Sequence, residues 1–95
     1  MTTLDKIAGK IIKEQELIIG PLAWEEASSV QGLKVVNRET GEVTIEGGKD
    51  ARTVIDELVS RYVDLFGRAA REACREAAVA LVADLQPSEI PSSLK

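Results

Sequence analysis

From Thr3 to Ile19 apolar residues recur at three- and four-residue intervals (Leu4, Ile7, Ala8, Ile11, Ile12, Ile18 and Ile19), with Lys6, Lys10, Lys13, Glu14 and Glu16 between them. A 3.6-residue period gathers the first set on one face, so the stretch predicts an amphipathic helix. Gly20-Pro21 interrupts it, because proline lacks the amide for the next helical hydrogen bond yet suits the first turn of a new helix. A short second helix is expected from Pro21 to about Val30, with Leu22, Trp24 and Ala27 inward and Gly32 as its stop.

The pattern then changes period. Leu33-Lys34-Val35-Val36-Asn37 and Glu42-Val43-Thr44-Ile45-Glu46 flank Arg38-Glu39-Thr40-Gly41, and Val43 and Ile45 alternate with polar neighbours. This predicts a β-hairpin at 33–46 with one buried face. Two strands alone are marginal in water, so the hairpin must lean on a helix or pair with another chain.

After Gly47-Gly48, Asp50 is placed to cap a third helical stretch expected to run from about Ala51 to Leu85 without an internal proline. About 35 residues at ~1.5 Å rise make a rod near ~50 Å, longer than a compact domain of this size accommodates. Either it bends at Gly67 or its length is covered by the N-terminal helices and a partner subunit. The side chains favour the second. Val59, Tyr62 or Val63, Phe66, Ala70, Ala73, Ala77 and Ala80 form one stripe, Cys74, Ala78, Leu81 and Leu85 a second, and 77–83 is apolar on every face. Small side chains allow close helix approach, so Phe66, Ala70, Ala73, Ala77, Ala80 and Leu81 are the expected subunit contact of a homodimer or higher oligomer. The opposite face carries charges with i,i+4 pairs such as Glu57–Arg61 and Asp64–Arg68.

The expected architecture is therefore mainly α with a small β-hairpin, an α+β chain forming an oligomeric helical bundle. One domain spans 1–86, and an extended tail with Pro87 and Pro91 spans 87–95, ordered if Ile90 and Leu94 find a groove.

Composition narrows the chemistry. The 95 residues are 44% apolar and 29% charged, enough for a folded core. With only Trp24, Tyr62 and Phe66 aromatic, that core must be largely aliphatic. A net charge of −4 argues against nucleic-acid binding, and a hairpin ribbon with at least as many acids as bases argues against sequence-specific DNA contact. There is no histidine and a single cysteine, which removes the usual zinc sets, His-activated nucleophiles and internal disulfides. No stretch reaches the ~20 apolar residues of a membrane span. No cofactor, metal or membrane is expected, and the cytoplasm is the default location.

The remaining motifs read more simply as structure. Gly47-Gly48-Lys49-Asp50 offers amides and a lysine to a phosphate, but Asp50 would repel the anion and suits a helix cap. Cys74 lies near Arg71 and Arg75 without a histidine or second thiol, and Glu25-Glu26 diverge by about 100° on a helix. The expected function is a non-catalytic homo-oligomeric module that binds itself and another protein. The alternative is a small-molecule sensor or small enzyme with a pocket between helices and hairpin, lined by Trp24, Tyr62 and Cys74.

Overall fold

In a computed structural model, which describes residues 2–46 and 48–95, the chain forms α1 (Thr3–Ile19), α2 (Leu22–Ser28), β1 (Leu33–Asn37), β2 (Glu42–Ile45), α3 (Ala51–Phe66) and α4 (Arg68–Val82). Two 3-10 turns, Pro87–Glu89 and Ser92–Leu94, follow. The mainly helical α+β expectation holds at this level.

Local chemistry accounts for the boundaries. The Thr2 hydroxyl accepts from the Asp5 amide at 3.1 Å while the Asp5 carboxylate accepts from the Thr2 amide at 3.2 Å, closing a capping box on α1. The other Asp5 oxygen accepts from the Ile45 amide at 3.0 Å and ties the start of α1 to the end of β2. α1 ends at Gly20, with φ 70° and ψ −151°, and α3 ends at Gly67, with φ 74° and ψ −156°. This region of backbone space is essentially reserved for glycine.

Gly67 corrects the sequence reading of one long helix. The rod breaks there, and α4 turns back and packs chiefly along α1, so the molecule measures 31 × 26 × 20 Å with a radius of gyration of 11.7 Å. Burial of an apolar helix face within one chain replaces the ~50 Å overhang of a continuous rod. The break also removes the expected Asp64–Arg68 pair, since the two residues no longer share a helix, whereas Arg61 and Glu57 do pair at 3.8 Å.

Antiparallel β1 and β2 pair Leu33 with Ile45 and Val35 with Val43, with an irregularity between Val35 and Asn37 that leaves Val36 exposed. Val43 is fully buried against α1. Residues 87–95, expected as an extended tail, instead fold back on α3 and α4. Pro91 and Leu94 are buried, and Asp56 of α3 accepts from the Ser92 hydroxyl at 3.1 Å and from the Ser93 amide and hydroxyl at 3.0 and 2.6 Å. The apolar gain from burying Leu94 and Pro91 offsets the entropy of ordering the segment.

Candidate functional site

Trp24, Tyr62 and Cys74, expected to line a pocket, lie in the core at 1%, 0% and 0% exposure. Each polar atom is engaged inside the chain. Trp24 Nε1 donates to Glu16 Oε2 at 2.7 Å, Tyr62 Oη donates to the Ala23 carbonyl at 2.8 Å, and Gln15 Nε2 donates to Cys74 Sγ at 3.4 Å. Burial pushes the Cys74 thiol up to about 11, partly offset by the Gln15 bond, and burial raises the Tyr62 phenol too. A nucleophilic thiol needs a lowered pKa, the opposite of this shift.

The expected subunit stripe is divided. Ala70 and Ala77 are buried within the chain, Ala73 is half-buried, Ala80 and Leu81 border a cleft, and Phe66 stands exposed at the far end of α3. The alanines permit the close α1–α4 packing inside one chain. Between α3 and the hairpin, Asp50 caps α3 by accepting from the Arg52 amide at 3.0 Å, and the Arg52 hydrogen bonds hold its carboxyl below the usual range. Gly47 lies outside the described residues.

Two surfaces remain as candidates. The first is a cleft of about 720 Å³ between α1, the hairpin turn and α4, lined by Lys6, Lys10, Lys13, Glu42, Ala80 and Leu81 among others. Gly9 makes it by letting the hairpin turn approach α1, since a Cβ there would overlap the Gly41 carbonyl. Lys13 is held by Glu16 at 3.2 Å and by the Glu39 carbonyl at 3.1 Å, while Lys6 and Lys10 have no ion pair among the described residues.

The second surface lies at the Gly20 and Gly67 turns. Gln15 Nε2 donates to the Ala70 carbonyl at 3.1 Å, linking the end of α1 to the start of α4, and the Tyr62–Ala23 bond links the end of α3 to the start of α2. Both turns therefore sit at one end of the molecule. There Leu17, Ile18, Leu22, Leu65 and Phe66 are 81%, 64%, 36%, 50% and 41% exposed. Of these, Phe66 was expected at a contact, whereas Ile18 and Leu22 were expected on inward helix faces, and their exposure next to the Gly20 turn corrects that. The missed signal was the adjacent pairs Leu17-Ile18 and Leu65-Phe66 just before the glycine breaks, because neighbours 100° apart cannot both face one core.

Among the described residues no three His, Cys, Asp or Glu side chains gather as a metal site, and no helix is long and apolar enough to cross a membrane. Comparison with family models, curated proteins and solved structures finds no match.

Proposed function

We propose that the chain is a non-catalytic protein–protein interaction module that self-associates as a homodimer or higher oligomer and in that form recruits another protein. The observation that carries this reading is the exposed apolar end face. Single exposed leucines are ordinary, but five large apolar side chains at one end support an interaction surface there. The engaged polar atoms of Trp24, Tyr62 and Cys74 support a structural rather than catalytic role for them. A buried free thiol suits a reducing compartment, so the proposal places the module in the cytoplasm.

Light scattering on a sizing column, over a wide concentration range with reductant present, tests the reading. A mass of two or more chains is the expected result; the mass of one chain at every concentration rejects self-association.

The lysine-lined cleft favours a second reading, in which a small organic anion binds between α1 and the hairpin. Titration with inorganic phosphate and a dicarboxylate, followed by amide chemical shifts, tests it. Shifts confined to α1 and residues 40–42, lost in Lys10→Glu, would support it.

A further inference from the structure

We infer that the end face at Gly20 and Gly67 is the contact surface of a two-fold symmetric dimer, its occupant being the same face of a second copy of this chain. This rests on the self-association reading above and assigns its surface and symmetry.

Size is the first argument. At these exposures the five apolar side chains present on the order of 400 Å². A stable pair buries ~800 Å² per partner, a little over half of it apolar, with a polar rim supplying the rest. The end face thus supplies the apolar share of one standard interface and leaves the rim to charged neighbours.

Charge is the second. On the α1–α2 side, Glu14 lies one turn before Leu17 and Ile18, and Glu25 lies one turn after Leu22. On the α3–α4 side, Arg68 and Arg71 follow Phe66, exposed and without an ion pair among the described residues. Asp64 precedes them and Glu72 is paired with Arg75 at 3.5 Å, leaving two cations against one acid outside the ion pairs. The patch therefore has an acidic edge and a basic edge. In an isologous contact each pairing occurs twice, so a two-fold axis running between the two edges sets the acidic edge of each copy against the basic edge of the other. Charge divided across one patch makes a surface complementary to itself and steers that pairing over others.

Charge reversal tests both surface and symmetry. Arg68→Glu and Glu25→Arg change exposed side chains, and unchanged circular dichroism with a cooperative melt would show that each variant folds. Each variant alone should self-associate about tenfold or more weakly than the wild type by sedimentation equilibrium, because like charges meet twice. Mixing the two should restore a 1:1 complex of wild-type strength, since both contacts of the mixed pair then join opposite charges. Dimers indifferent to both changes would overturn the end face and leave self-association standing through another surface. A wild-type monomer that nevertheless binds a different protein through Phe66 would overturn both.

Discussion

Gly9, in the middle of α1, lies directly against the carbonyl of Gly41 at the hairpin turn, so closely that a Cβ on Gly9 would overlap that oxygen. Alanine in place of a helix-interior glycine normally gains about 1 kcal/mol. Here the obstacle is backbone, and forcing the hairpin away costs more, typically 1–3 kcal/mol for overpacking. Gly9→Ala is therefore expected to destabilise the fold by about 1 kcal/mol or more in urea unfolding, with faster amide exchange in 33–45. A more stable variant would show that the hairpin is not pinned at this point.

The bond from Trp24 Nε1 to Glu16 holds the Glu16 carboxyl below its usual 4.5, with Lys13 adding to the effect. A lowered folded-state pKa favours the native state above the unfolded pKa, and the advantage disappears as pH falls through the folded value. Glu16→Gln keeps an acceptor for Trp24 but removes the titration. The melting-temperature gap between wild type and variant is expected to be constant above about pH 5 and to close below pH 4.

At alkaline pH the sign reverses. The Cys74 thiol is pushed from 9 to about 11 by burial, so its contribution is intact below pH 9 and is lost between pH 9 and 11. At pH 8 its thiolate fraction falls about hundredfold relative to an unperturbed thiol of the same type, before access is considered. A thiol-disulfide reagent should therefore label the folded chain at least that much more slowly than the chain in urea. Rapid labelling of native protein would contradict the buried placement.

Removal of residues 87–95 takes away the Pro91 and Leu94 packing, the three hydrogen bonds to Asp56 and the bond from Arg52 to the Ser88 carbonyl. Loss of the Leu94 contact alone is worth about 2 kcal/mol, a large part of the stability of a domain this small. The truncated chain should unfold at markedly lower denaturant than the full chain, with exposed surface around Val59 and Val63. Asp56→Asn should lie between the two.

Helix periodicity in 3–19 and strand alternation in 42–46 were legible because each segment has one dry face and one wet face, and a single period satisfies both. The α3–α4 break was not. Residues 51–85 keep a helical period through Gly67, and only the packing of Ala70, Cys74, Ala77 and Ala78 against α1 determines that the chain turns there. Burial of Trp24, Tyr62 and Cys74 was equally hidden in their identities, because an aromatic or thiol group at a helical position reads alike in a core and at a pocket wall. The cleft lies between helices and hairpin, where the alternative reading set a pocket, but its lysine lining was hidden for a different reason. Lys6, Lys10 and Lys13 share a face of α1, but its opposing wall comes from the hairpin turn, some 30 residues away in sequence.

The compactness of this chain depends on a torsion angle that one residue type tolerates well. Gly67 serves as both the last cap of α3 and the first of α4, with no side chain capping either end. In Gly67→Ala the strained turn competes with a straight helix running from Ala51 to Val82, in which α4 swings off its own α1 and leaves that groove vacant. A second opened chain offers the matching helix, so the same contacts can re-form reciprocally between two molecules. The variant is expected to refold partly as an exchanged dimer, its fraction rising with protein concentration during refolding. A three-atom change in one turn would thus convert an intramolecular fold into a shared one.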